Sequence, residues 1–194
     1  MMKNEQQRLQ TSLLNWYDSH GRTLPWRDRN GLGDPYKVWL SEVMLQQTTV
    51  ATVQPYFTEF IRRWPSLVAL AGAELDDVLH AWQGLGYYSR ARNLHKCARL
   101  ILEKYKGKFP DNEKDLLRLP GIGPYTAAAI SAIAFGRPSA PVDGNIARVV
   151  SRLMNLQTPL PALQLEVISL FAPIVPRDRP GDFVQAIMDL GATT

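Results

Sequence analysis

Apolar side chains recur every three to four residues along nearly the whole chain, which is the period of an amphipathic α-helix. No stretch alternates apolar and polar residues for long enough to predict a β-strand. Prolines and short clusters of Gly, Asp, Asn and Ser interrupt this pattern, most visibly at GRTLPWRDRNGLGDP, WPS, FPDNEKD and PSAPVDG. The pattern predicts an all-α protein of about ten short helices, packed as a compact bundle.

The two longest interruptions, near residues 25–35 and 137–143, predict where the chain divides. Its 194 residues suffice for one domain or for two small lobes that share a core. A formal net charge of +4 favours anionic partners without identifying one. The single cysteine, Cys97, excludes an internal disulfide, and its helical spacing from Leu94 and Ile101 indicates a core residue. With no visible signal peptide or membrane span, we expect a reducing, cytoplasmic compartment.

The stretch LPGIGPYTAAAI predicts a helix, a tight glycine turn and a second helix. Gly121 and Gly123 permit unusual backbone torsions and close approach, so that free N–H groups at the start of the second helix face an anion such as a DNA phosphate. Pro124 suits the first helical turn, where a missing N–H costs nothing. An ordinary turn between two helices would show the same glycine pattern, which leaves that alternative open.

Two carboxylates flank this hairpin in the sequence. Glu42, in VWLSEVMLQQTTV, shares a helix face with apolar residues, and burial there would raise its pKa and suit it to general acid catalysis. A glutamate at the helix rim that points to solvent is the alternative. Asp143, in PVDGNIARVV, has the position of an N-cap, where backbone N–H groups and the helix dipole stabilise an anion. A neutral acid and a carboxylate together suit cleavage of a glycosidic bond, although a structural cap would look the same.

Six strings in this order resemble the adenine DNA glycosylases of the MutY type, in the helix-hairpin-helix superfamily that also contains endonuclease III. They are LPWR, PYKVWLSEVMLQQTTV, WQGLGYYSRARNL, LPGIGPYTAAAI, VDGNIARV and DFVQAIMDLGA. The resemblance implies a two-lobed all-α fold. Residues 27–134 would form a six-helix barrel lobe that contains the hairpin, and residues 1–26 and 135–194 would form a second helical lobe, with DNA across the cleft between them.

The same resemblance implies the catalytic roles. Glu42 would protonate the adenine, chiefly at N7, and Asp143, organised by Asn145, would stabilise the developing sugar cation. Tyr125 stands where bifunctional relatives carry a lysine that attacks the sugar as an amine. Because a phenol forms no Schiff base, the resemblance implies a monofunctional glycosylase that removes adenine mispaired with 8-oxoguanine or guanine in base excision repair.

The resemblance further implies which residues contact DNA. The residues that would enter the base stack, support the extruded nucleotide or bind the DNA backbone and the flipped base are Arg27, Gln46, Gln47, Tyr87, Tyr88, Gly121, Gly123 and Gln185. Arg90, Arg92 and Lys96 would either reach phosphates or form a solvated helix face, and the sequence leaves both interpretations open.

The family follows the string LGA with four cysteines that hold a 4Fe-4S cluster and then adds a domain that helps read 8-oxoguanine, whereas this chain stops at Thr194. Cys97 alone cannot build a cluster. We therefore expect no cofactor and no metal in this chain, and cluster cysteines beyond Thr194 in a longer protein.

The expected partner is double-stranded DNA with a mispaired adenine, bound by a monomer in a bacterial cytoplasm, in association with the nucleoid and without a membrane. Two other functions stay open from the sequence. One is a mismatch thymine DNA glycosylase of the same superfamily, and the other is a non-catalytic helix-hairpin-helix module that only binds DNA.

Overall fold

The computed structural model describes residues 3–28, 31–159 and 161–193, and these residues contain helices and loops but no strand. The α-helices are α1 (Lys3–His20), α2 (Pro35–Leu45), α3 (Val50–Arg63), α4 (Leu67–Ala71), α5 (Leu75–Ala81), α6 (Ser89–Tyr105), α7 (Glu113–Leu116), α8 (Pro124–Phe135), α9 (Gly144–Leu153), α10 (Ala162–Phe171) and α11 (Pro180–Thr193). A short 3-10 helix, Ala172–Ile174, follows α10. The predicted all-α fold is confirmed.

Polar caps begin several helices where the interruptions in the sequence predict a helix start. Oδ1 of Asp34 accepts a hydrogen bond from the backbone N–H of Tyr36 at 2.8 Å ahead of α2. Ser66 caps α4 and Asn112 caps α7, each through its side-chain oxygen and the backbone N–H three residues later. These bonds satisfy donors that a helix leaves unpaired in its first turn. Helix starts were therefore readable from local sequence chemistry.

The chain divides into two compact units. One is Leu24–Ala127, and the other comprises the described residues of Met1–Thr23 and Ala128–Thr194, so that the second division falls within α8. The predicted division near residues 25–35 includes positions 29 and 30, which lie outside the described residues. The predicted lobes, residues 27–134 and residues 1–26 with 135–194, and the barrel arrangement stay predictions.

In the unit Leu24–Ala127, α2 lies at the centre and packs against α3 and α6. Most side chains of α2 are buried, and Trp39 is fully enclosed. Aromatic rings fill much of the remaining core, where Phe60 makes edge contacts with Trp64 at 4.9 Å and with Trp82 at 5.8 Å between ring centroids. Cys97 is fully buried, as its spacing predicts. A functional side chain on α2 is therefore held by a packed core rather than by a loop.

In the other unit, α11 packs against α1 and α9. Phe171 and Phe183 stack with 6.3 Å between their ring centroids and form part of this core. The close approach of α11 to α9 depends on Gly191, because a Cβ atom at that position would lie 2.5 Å from the carbonyl oxygen of Asn145. Among the described residues, no helix combines the length and the apolar character needed to cross a bilayer.

Candidate active site

Glu42 lies within α2, among side chains that are mostly buried. Only 8% of its surface is exposed, and the neighbouring Ser41 and Val43 are buried as well. Burial disfavours the charged form of a carboxyl group relative to the neutral acid. The burial contradicts the alternative of a solvent-facing glutamate at the helix rim. The role of Glu42 as a general acid stays a prediction.

Two residues predicted to enter the base stack have a left-handed backbone. φ is +59° at Gln47, directly after the C-cap residue Gln46 of α2, and +47° at Tyr87. Outside glycine this conformation costs of order 1–3 kcal/mol, and such residues cluster at functional sites. Gln47 is exposed and Gln46 half-buried, while Tyr87 and Tyr88 are 64% and 38% exposed. Three of these four side chains are thus presented to solvent.

Arg90 lies at the start of α6, and both interpretations left open by the sequence are wrong for it. Its side chain is buried, with 8% exposure, so that it neither forms a solvated face nor extends to a phosphate. Its terminal nitrogens donate to backbone carbonyls, including those of Gln46 and Leu85. Burial lowers the pKa of this guanidinium from its ordinary value. Arg92 and Lys96 are exposed, and for them both interpretations stay open.

The two glycines of the hairpin, Gly121 and Gly123, differ in backbone conformation and in the space around them. Gly121 has φ of +76°, and a Cβ atom there would lie 2.9 Å from Cβ of Asn93. At Gly123 a Cβ atom would meet nothing within 4 Å. Within the described part of the chain, neither backbone N–H group donates to a protein acceptor. The hairpin therefore leaves open space ahead of α8, which begins at Pro124 as predicted. Phosphate binding at this helix start stays a prediction.

Three further predicted site residues, Tyr125, Arg27 and Gln185, are partly or wholly buried. Tyr125 lies in the first turn of α8 and is half-buried, as is Arg27. Gln185, on α11, is 6% exposed, and its Nε2 atom donates to the carbonyl oxygen of Gly181 at 3.1 Å. This bond uses one of the two Nε2 hydrogens, so the second N–H and the carbonyl oxygen of Gln185 both keep capacity for a ligand. All three roles stay predictions.

Asp143 is the N-cap of α9, as the sequence predicts. Its Oδ1 atom accepts a hydrogen bond from the backbone N–H of Ile146 at 2.7 Å, and its Oδ2 atom accepts one from Nδ2 of Asn145 at 3.0 Å. Each carboxylate oxygen therefore has a donor, and the positive end of the α9 dipole lies beside the charge. These contacts hold the carboxylate in a fixed position at the start of α9.

Two residues close to Asn145, Arg148 and Gly191, were not predicted from the sequence. Nη1 of Arg148 donates to the carbonyl oxygen of Gly191 and lies 3.4 Å from Oδ1 of Asn145. A three-residue spacing on α9 places Arg148 and Asn145 on the same helix face, which is a signal the sequence does contain. With Oδ1 of Asn145 facing a cation, its Nδ2 group is turned toward Asp143. Gly191 supplies the backbone acceptor that holds Arg148.

The implied 4Fe-4S cluster does not fit the residues of this chain. Such a cluster needs four thiolates, and the sequence contains one cysteine, which is buried within α6. No group of three or more His, Cys, Asp or Glu side chains among residues 3–28, 31–159 and 161–193 has a geometry that would hold a metal ion.

Comparison with known proteins finds adenine DNA glycosylases among the relatives of this chain. The chain is 46% identical to human adenine DNA glycosylase over 94% of its own length and 35% of the relative. It is 42% identical to adenine DNA glycosylase of Buchnera aphidicola subsp. Baizongia pistaciae over 93% of its own length and 51% of the relative. The chain thus spans about half or less of the length of these curated relatives.

Solved structures show the same fold. A thermostable thymine-DNA glycosylase matches 97% of the chain, and 87% of its own length, with a TM-score of 0.82 and 27% identity. An endonuclease III in a non-covalent DNA complex matches the same share of the chain and 85% of its own, with a TM-score of 0.76 and 21% identity. The family model for HhH-GPD superfamily base excision DNA repair proteins matches residues 40–167. The chain therefore belongs to the HhH-GPD superfamily of base excision DNA repair proteins.

Proposed function

We propose that the protein is a monofunctional DNA glycosylase that removes adenine mispaired with 8-oxoguanine or guanine. The observation that carries this proposal is the Asp143 carboxylate, which is held by a backbone N–H and by Asn145 at the start of α9. A fixed anion of this kind suits stabilisation of an oxocarbenium-like sugar. The adenine glycosylases that share 42–46% identity with the chain supply the substrate class.

Glu42 is the second carboxyl group of the proposed mechanism. From its buried position on α2, Glu42 is proposed to donate a proton to N7 of adenine. The protonated base then leaves with the electron pair of the glycosidic bond, while Asp143 stabilises the positive charge left on the sugar. Water then attacks C1′ and gives its proton to the Glu42 carboxylate, which completes hydrolysis, restores the acid and yields free adenine and an abasic site.

Tyr125 explains why the reaction would stop at the abasic site. It occupies the first turn of α8, immediately after the glycine hairpin. An amine at this position would attack C1′ and form an imine that leads to strand cleavage, whereas a phenol forms no imine. We therefore expect strand breaks only after treatment with alkali.

The glycosidic bond of a paired adenine is hidden in the duplex, so the base must leave the stack first. Gln47 and Tyr87, exposed and held in left-handed conformations, are proposed to enter the stack from the α2 and α6 sides, with Gln46 and Tyr88 beside them. The open hairpin at Gly123 and the half-buried Arg27 would contact the DNA, and Gln185 would contact the flipped base through its side-chain amide. We expect a monomer that acts on chromosomal DNA in a bacterial cytoplasm.

Single-turnover base release tests the proposal. The substrate is a duplex with adenine opposite 8-oxoguanine, and alkali afterwards converts abasic sites into strand breaks. We expect release by the wild-type protein, loss of release in both Glu42→Gln and Asp143→Asn, and no break before alkali. Release that survives in Glu42→Gln would contradict the acid role.

A thymine glycosylase is the second candidate, because the solved thermostable thymine-DNA glycosylase has a TM-score of 0.82 with this chain. The same assay on duplexes with thymine opposite guanine decides between the two bases. A chain that binds both duplexes but releases neither base would instead be a binding module, as the third possibility from the sequence requires.

A further inference from the structure

Arg90 contacts the two segments that carry the left-handed residues Gln47 and Tyr87. On one side its Nη1 atom lies 2.9 Å from the carbonyl oxygen of Met44 and 2.5 Å from that of Gln46. These carbonyls end α2, where a helix leaves its last oxygens unpaired and carries partial negative charge. The guanidinium thus closes the C-terminal end of the helix that carries Glu42.

On the other side, Arg90 holds the loop between α5 and α6. Its Nη2 atom donates to the carbonyl oxygen of Leu85 in this loop at 2.8 Å, and at 3.2 Å it also donates to Oγ1 of Thr48 in the turn after α2. Its Cζ atom lies 5.3 Å from the ring centroid of Trp82 and 5.6 Å from that of Tyr87. One planar cation therefore bonds to both segments and supports the ring of Tyr87 by a cation–π contact.

We propose that Arg90 is a positioning residue that joins the turn after α2 to the loop before α6, so that Gln47 and Tyr87 are held together as one unit for base extrusion. The inference rests on the proposed glycosylase function. Arg90 touches no reacting atom, and it acts through the two residues that it holds.

Only arginine meets the requirements of this position. The terminal nitrogens reach five carbonyl oxygens and one hydroxyl, on segments separated by about 40 residues in sequence. A lysine ammonium carries the same charge but has three donors at a single point, so it cannot reach both segments at once. The terminal nitrogens of Arg90 are satisfied by this shell of oxygens, which ties its charge to the backbone geometry of both loops, whereas its buried Nε atom has no hydrogen-bond partner among the described residues.

Amide hydrogen exchange tests the coupling without any reaction. The N–H group of Thr48 donates to the carbonyl oxygen of Leu45 at 3.3 Å, and that of Leu85 donates to Trp82 at 3.1 Å, so each segment has a reporter amide. In Arg90→Lys we expect both amides to exchange about tenfold faster or more, with α3 and the rest of α6 unchanged. The matched control is Arg99→Lys, an exposed position on the same helix, which should change neither amide.

A second variant tests the coupling if Arg90→Lys does not fold. Thr48→Val removes one acceptor on the α2 side only, yet it should also raise exchange at Leu85 on the other segment. Acceleration of one reporter alone, of neither, or of amides throughout the unit Leu24–Ala127 would overturn the proposal. The last outcome would make Arg90 a general stabiliser of the core.

Kinetics then connect the coupling to extrusion. Single-turnover adenine release should fall on the order of tenfold to a hundredfold in Arg90→Lys, with unchanged affinity for undamaged duplex, because misplacement of a positioning group costs rate rather than binding. Equal release rates in Arg90→Lys and wild type would overturn the positioning role. If the wild-type protein released no adenine, the proposed function would fail, whereas the exchange results would still decide whether Arg90 couples the two segments.

Discussion

Nδ2 of Asn145 lies 3.0 Å from Oδ2 of Asp143, while the other oxygen of that carboxylate accepts a hydrogen bond from the α9 backbone. Two donors at different angles fix both the position and the rotation of the carboxylate. A group that stabilises charge in a transition state is effective when it needs no rearrangement during the reaction. The amide of Asn145 is therefore part of the proposed chemistry even though it carries no charge.

Replacing Asn145 by alanine should slow adenine release by about tenfold to a hundredfold, because Asp143 loses one of its two orienting donors. The measurement is the single-turnover rate, with Gln164→Ala as a control at an exposed position of the same unit. The thermal unfolding midpoints of the two variants should differ little, since the capping bond to Ile146 remains. An unchanged rate in Asn145→Ala would mean that the cap alone orients the carboxylate.

The two hairpin glycines should respond oppositely to alanine. Gly121→Ala should lower the free energy of unfolding by about 1–2 kcal/mol or more, because the left-handed backbone and Asn93 both disfavour a Cβ atom. Gly123→Ala should change stability by less than about 1 kcal/mol but weaken duplex binding, since its Cβ atom would fill the open space ahead of α8. Chemical denaturation and fluorescence anisotropy measure the two quantities. Equal binding by wild type and Gly123→Ala would argue against a phosphate at this helix start.

A lysine in place of Tyr125 should introduce covalent chemistry. Once the base has left, the amine can attack C1′ and form an imine, which borohydride reduces to a stable protein–DNA adduct. We expect this adduct on a denaturing gel for Tyr125→Lys and none for wild type or Tyr125→Phe. Adduct formation by the wild-type protein would show that another amine reaches the sugar and would contradict monofunctional chemistry.

The sequence was informative where local chemistry decides structure. Caps such as Ser66 and Asp143 and the proline at the start of α8 mark helix starts by bonds within a few residues, and the observed helices begin there. Asp143 with Asn145 is equally local, because the two residues lie in one helical turn. Patterns of this kind need no knowledge of distant partners.

The rest depends on contacts between segments that are far apart in sequence. Arg90 lies at helical spacing from Leu94 and Cys97, on the buried face of α6. That spacing indicates burial, but the charge of an arginine favours the opposite interpretation. Its partners are backbone carbonyls, which no pattern of side chains reveals. The left-handed backbone at Gln47 and Tyr87 was unpredictable for a related reason, because neither residue type prefers that conformation.

Titration of the Cys97 thiol should make the free energy of unfolding depend on pH. Burial raises its pKa from the ordinary 9.0 to about 12, so the unfolded chain loses this proton first as pH rises. The thiol therefore contributes stability that is complete below about pH 9 and is lost as pH rises toward 12. The free energy of unfolding of wild type relative to Cys97→Ala should fall by about 1.4 kcal/mol per pH unit within that window. A difference that is independent of pH would show that the folded thiol titrates normally.

A glycine in place of Gln47 should make the protein more stable and less active. Glycine adopts a left-handed backbone without a steric penalty, so Gln47→Gly should exceed Gln47→Ala in free energy of unfolding by about 1 kcal/mol. Denaturant melts of the two variants measure this difference, and both should release adenine more slowly than wild type. Greater stability of the alanine variant would show that the conformation carries no strain.

At Gln47, the residue that would give the highest free energy of unfolding differs from the residue that the proposed repair reaction needs. A stability-guided search would choose glycine at this position and would discard the amide that the proposed reaction needs. The same search would favour glycine at Tyr87, where the backbone is strained in the same way. An engineer who wishes to make this protein more robust should therefore exclude both positions from the design and seek stability elsewhere in the chain.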